Sequence, residues 1–172
     1  MTATQIENQH RPSLFSGVRT RLFSTTSSAT GIEWIAREAL KEMRAKDRFF
    51  CLWLSGPVGA GKSTLARAIL RELGLSKSIP VTSPTYTAMN TYDIGNRRIA
   101  HLDYYRSANS TELADLELAE TDQQSYLGSL HGVLIEWGGT SGLGMLKPTH
   151  TLDIEYATTP WNRVFTLYAM DY

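Results

Sequence analysis

Residues 56–64 read Gly-Pro-Val-Gly-Ala-Gly-Lys-Ser-Thr, and Gly56 to Ser63 satisfy the spacing G-x-x-x-x-G-K-[S/T]. Glycines without a Cβ let successive amides turn inward and form a concave nest for an anion. If a helix begins directly after the nest, its N-terminus adds partial positive charge at the same point. Lys62 can then reach the β- and γ-phosphates, and the Ser63 hydroxyl can ligate Mg²⁺. The alternative is a glycine-rich turn with a purely structural role. The joint demand for these residue types at this spacing favours a cradle for a nucleoside triphosphate. Its binding candidates are Gly56, Pro57, Val58, Gly59, Ala60, Gly61, Lys62, Ser63 and Thr64.

What happens to the triphosphate depends on acids elsewhere. Asp103 in "RIAHLDYY" and Glu136 in "VLIEWG" each end a run that reads as a strand. Ligands of open α/β sheets sit beyond the carboxyl ends of the strands, so both acids can converge on the nucleotide. Glu136 ends an uncharged apolar run, where burying a lone carboxylate is costly and a cation would relieve the cost. A salt-bridged strand end and a surface acid at a hairpin end are the bland alternatives for Glu136 and Asp103. His101 lies two residues before Asp103, on the same strand face, and a hydrogen-bonding role suits it better than that of a base. By residue type Tyr104, Tyr105 and Trp137 read as core or rim. Trp137, next to Glu136, is also counted with the nucleotide-binding residues. The hydroxyl-rich "TSPTYT" at residues 82–87 could act as a switch that senses a γ-phosphate.

These residues need strands and helices to hold them. Thr30 to Glu33 has the spacing of a capping box, and Ile32, Ile35, Ala36, Ala39, Leu40 and Met43 form one apolar helical stripe behind it. "FFCLWLS" is too short and too continuously apolar for a surface helix and reads as a buried strand leading into the cradle. The helix after the cradle faces inward with Leu65, Ile69 and Leu73 and stops at Gly74. Two strands meet at Asp93-Ile94-Gly95-Asn96, a hairpin. A short acidic helix is expected near residues 111–127. "GVLIEWG" reads as another buried strand, and "THTLDIEYA" with "RVFTLYAM" as a closing antiparallel pair. The expected fold is one α/β domain, a P-loop NTPase-like mixed sheet flanked by helices.

The chain has 172 residues, 42% of them hydrophobic, enough for one domain with a core. Lys and Arg total 17 against 17 Asp and Glu, so no basic excess argues for tight direct tRNA or other nucleic-acid binding. Cys51 is the only cysteine, which suits a reducing cytosol, and its apolar surroundings suit a buried thiol. No apolar run approaches the ~20 residues needed to cross a bilayer. The first 20 residues, rich in Ser, Thr and Arg, are expected to be a disordered extension before a domain at 21–172. Their composition overlaps with that of organelle transit peptides, but shortness and weak amphipathicity favour the extension.

In order, "GPVGAGKST", "SPTYT", "HLDYYR" and "IEWG" resemble the TsaE (YjeE-type) P-loop ATPases, which support threonylcarbamoyladenosine modification of tRNA in bacteria. The likeness runs from about Leu22 to the C-terminus. It implies Mg²⁺ ligands at Ser63 and Glu136 and an essential strand-end acid at Asp103, close to the attacking water or the metal. It also implies a switch at residues 83–87, with Thr85 among the catalytic residues beside Lys62, Asp103 and Glu136. The family's usual acid-Leu pair inside the loop is Pro57-Val58 here, which leaves binding in place but can alter affinity. The resemblance further implies ATP and Mg²⁺ as cofactors, TsaD and TsaB as partners, tRNA reached only through that complex, and a cytoplasmic protein, monomeric on its own. The acidic stretch with Glu112, Asp115, Glu117, Glu120 and Asp122 is either a solvated helix face or a dock for a basic partner.

Two other functions stay open on the sequence. A small P-loop kinase would need more cations to clamp its acceptor than Arg97, Arg98, Arg106, Lys147 and Arg163 offer. A nucleotide-dependent binding module with little turnover would carry the same motifs.

Overall fold

The structure is a computed structural model that describes residues 17–84, 89–104, 128–138 and 147–172. Its strands are β1 (Val18–Ser28), β2 (Phe50–Ser55), β3 (Met89–Ile94), β4 (Arg97–Asp103), β5 (Gly132–Glu136), β6 (His150–Tyr156) and β7 (Asn162–Asp171). Two α-helices, α1 (Ile32–Glu42) and α2 (Lys62–Glu72), lie among the described residues. The expected acidic helix and Thr85 fall outside those residues.

All seven strands join one mixed sheet in the order β1-β7-β6-β2-β5-β4-β3. The centre is parallel: β2 lies between β5 and β6, and β4 pairs with β5. Antiparallel pairs close the two sides, β3 on β4 and β6-β7-β1. β2 is buried from Phe50 to Leu54, which explains its unbroken apolar run. Cys51 is fully buried within it, and burial pushes its thiol up to about 12, as a structural thiol requires.

Alternation sorts the sheet into two faces. Leu52, Leu54, Ile99, Leu134 and Leu152 pack with the buried stripes of α1 and α2, including Ile35, Leu40, Leu65 and Ile69. Cys51, Trp53, Ala100, Leu102, Val133 and Ile135 form a second cluster on the opposite face. His101 and Asp103 share the parity of Ile99, and Glu136 that of Leu134, so all three belong to the helix-covered face. The α2 helix stops where Gly74 takes φ 108.

Two expectations need correction. Thr30 makes no capping box: its hydroxyl pairs with Ser28 Oγ at 2.8 Å, Ala29–Gly31 form a 3-10 turn, and Gly31 caps α1 without a side-chain bond. The Ser/Thr/Arg-rich stretch also becomes a strand from Val18, so Val18, Arg19 and Thr20 lie inside β1 rather than in an extension. Arg19 is part of the reason. Its Nη2 donates to Asp153 Oδ2 at 2.6 Å and Thr151 Oγ1 at 2.9 Å, and its guanidinium lies 3.9 Å from the centre of the Tyr168 ring. An outermost strand buries little, so its composition stays polar and resembles a tail.

Candidate functional site

The cradle lies where β2 turns into α2. Gly56 has φ 144, and a Cβ there would sit 2.4 Å from the Ile154 carbonyl oxygen, so β6 leaves room only for glycine. Gly61 precedes α2 with φ 107. The first main-chain bond of α2 runs from the Leu65 amide to Gly61 at 2.9 Å, which leaves the Lys62, Ser63 and Thr64 amides without helical acceptors. Those donors point out of the helix start, the geometry that receives an anion. Pro57 and Val58 contribute carbonyls: Pro57 O accepts from Lys62, and Val58 O from the Tyr156 hydroxyl at 2.8 Å. The Tyr156 bond had no signal in the sequence, since it joins residues 98 apart in the chain.

Lys62 is buried and folded back on the loop. Its Nζ donates to Gly56 O at 2.8 Å and to Pro57 O at 2.9 Å, and lies 3.5 Å from the centre of the Trp137 ring. Burial lowers its ammonium to about 8, against the opposing pull of Glu136 and Asp103. The backbone at Trp137 turns left-handed, φ 64, which costs on the order of 1 kcal/mol for a non-glycine residue. That turn brings a side chain from the end of β5 over the cradle lysine.

Glu136 is 2% exposed and is met on both oxygens. Ser63 Oγ donates to Oε2 at 2.8 Å, and His101 Nε2 lies 2.9 Å from Oε1. Asp103 is the register partner of Glu136 across β4 and β5, is 6% exposed, and accepts from Ser83 Oγ at 3.0 Å. Asp103 is therefore not a surface acid at a hairpin end. Lys62, Ser63, Glu136, Asp103 and Trp137 converge as the sequence expects, and Ser83 ties the start of the 83–87 segment to them. Thr64 is exposed at the helix start. Sequence reasoning placed His101 on the right face but did not find its partner. The available signal was parity, because His101 opposes Leu134, two residues before Glu136.

A hydroxyl and a buried carboxylate, side by side at the helix start, form a hard-oxygen donor pair of the kind Mg²⁺ takes. Mg²⁺ sites fed by substrate phosphates need only one or two carboxylates. Among the described residues no cluster of three or more His, Cys, Asp or Glu forms an all-protein metal site.

The family model for the threonylcarbamoyl adenosine biosynthesis protein TsaE matches residues 25–164, most of the chain. The chain belongs to the TsaE family. TsaE of Haemophilus influenzae, named as a tRNA threonylcarbamoyladenosine biosynthesis protein, is 34% identical over 111 residues, 64% of this chain and 65% of that protein. TsaE of Mycobacterium leprae is 34% identical over 119 residues, 66% of this chain and 68% of that protein. TsaE of Bacillus subtilis is 35% identical over 86 residues, 50% of this chain and 49% of that protein. The match thus spans just under two thirds of the first relative and about half of the third. The crystal structure of Bacillus subtilis YdiB superposes with a TM-score of 0.60 over 88% of this chain and 87% of that one, at 20% identity, which shows the fold. Among the described residues no helix is long and apolar enough to cross a membrane.

Proposed function

We propose that the chain is the Mg²⁺-dependent ATP-hydrolysing component of bacterial tRNA threonylcarbamoyladenosine biosynthesis, working in the cytoplasm with TsaD and TsaB homologues. Family membership supports the pathway, and the Ser63–Glu136 hydrogen bond beside the cradle is the observation that carries the chemistry. The loop amides and Lys62 hold the triphosphate, while Trp137 and the loop residues 56–61 shape its seat. Ser63 and Glu136 would hold Mg²⁺, which when bound would offset the negative charge of the triphosphate. Asp103 orients the attacking water or holds the metal's outer shell, with Thr85 acting from the 83–87 segment.

In the hydrolysis step a water oxygen bonds to the γ-phosphorus and the bond to the β–γ bridging oxygen breaks. ADP and inorganic phosphate leave, and the water's proton passes to Asp103 or to solvent. Lys62 Nζ uses two of its three donors on Gly56 O and Pro57 O, which holds it at the loop with one donor left over. On this reading turnover is slow for the chain alone and stimulated by its partners. Balanced charge supports tRNA being reached through the complex rather than bound directly.

Phosphate release measured with and without the TsaD and TsaB homologues tests the reading. The expected result is slow release alone and a clear rise with both partners. No release in either condition contradicts it.

A further inference from the structure

We propose that His101 is a positioning residue for Glu136. It holds one carboxylate oxygen so that the other is presented to the cradle, and so sets the Mg²⁺-linked part of nucleotide affinity. The proposal rests on the nucleotide and Mg²⁺ reading above.

Three observations carry it. His101 is 0% exposed and Glu136 2%, so each needs a partner inside the protein. The imidazole Nε2 lies 2.9 Å from Oε1, while Oε2 is 2.8 Å from Ser63 Oγ, so the ring selects which oxygen faces the helix start. The other ring nitrogen, Nδ1, has no hydrogen-bond partner among the described residues. The one polar bond this ring makes among those residues is the one to Glu136.

Oε1 is a carboxylate acceptor, so the ring meets it with an N–H donated from Nε2. Backbone pairing fixes the aim: His101 sits between Asn90 of β3 and Leu134 of β5, and Glu136 is the next residue on the same face of β5. Residues that orient a metal-holding carboxylate in this way typically change metal affinity ~10–100-fold when removed.

The test compares His101→Leu, which fills similar space without a donor, with His101→Gln, whose amide reaches the Nε2 position. Binding of N-methylanthraniloyl-ATP is followed by fluorescence with Mg²⁺ and again with EDTA, and folding is checked by thermal melting. Affinity in EDTA is expected to stay within about twofold for both variants. The Mg²⁺ enhancement is expected to fall ~10–100-fold in His101→Leu and to recover in His101→Gln. A wild-type enhancement in His101→Leu overturns the proposal. If His101→Leu does not fold, His101→Asn replaces it, its amide one methylene short of Glu136. His101→Gln failing to exceed His101→Asn then overturns the proposal. Wild-type protein that binds the nucleotide in neither condition sinks the nucleotide reading itself. Wild-type protein that binds equally in both conditions sinks only the metal-linked role.

Discussion

At the scale of single residues, the two strand-end acids are distinguishable by what touches them. Glu136 meets the Ser63 hydroxyl at 2.8 Å, whereas Asp103 meets Ser83, the start of the segment that would sense the γ-phosphate. Glu136→Gln keeps shape but removes the charge that would hold Mg²⁺, so it is expected to weaken both Mg·ATP affinity and turnover. Asp103→Asn is expected to lower phosphate release roughly 10²–10⁴-fold with a smaller change in Mg·ATP affinity. Normal turnover in a folded Asp103→Asn variant would remove Asp103 from the chemistry. Both acids were legible in the sequence because an acid ending an apolar strand is conspicuous. The histidine two residues before Asp103 was legible as a face, not as a contact. Its partner lies 35 residues away on a neighbouring strand, and only the register reveals it.

At the scale of elements, the cradle glycines answer to different constraints, and substitution separates them. Alanine at Gly56 would bring a Cβ to 2.4 Å from the Ile154 carbonyl, a backbone atom of β6 that cannot swing away. Alanine at Gly61 meets nothing within 4 Å and bears only the cost of φ 107, roughly 1–2 kcal/mol. Gly56→Ala is therefore expected to lower the urea midpoint more than Gly61→Ala, and equal midpoints would show that the β6 contact yields. Most elements follow from periodicity: the buried run of β2, the stripes of α1 and α2, and the hairpin at Gly95. The misses share a cause, since β1 and the entry to α1 are settled by partners distant in sequence or by competing hydroxyls. Polar Val18–Ser28 is a strand because β7 pairs with it and Arg19 reaches β6. Thr30 fails as a cap because Ser28 takes its hydroxyl.

At the scale of the whole molecule, acid stability and ligand binding report on different parts of the sheet. His150 is 4% exposed in β6, and burial followed by the Arg48 charge lowers its imidazole from 6.5 to about 4. The folded chain thus keeps this ring neutral while the unfolded chain protonates it below about 6.5. The unfolded state binds more protons between those values, so this stabilisation is full above 6.5 and is lost as pH falls toward 4. The total is on the order of 3 kcal/mol. Urea unfolding from pH 7 to pH 4 is expected to show a shallower loss of stability in His150→Leu than in wild type, and parallel curves would contradict the assignment. The central claim is that the loop between β2 and α2 holds a triphosphate and that Lys62 meets its β- and γ-phosphates. Calorimetric titration of wild type and Lys62→Ala with Mg·ATP tests it most directly. The account predicts measurable binding by wild type and at least a ~100-fold loss in the variant, on the order of 3 kcal/mol. Undiminished affinity in a folded Lys62→Ala protein would contradict it.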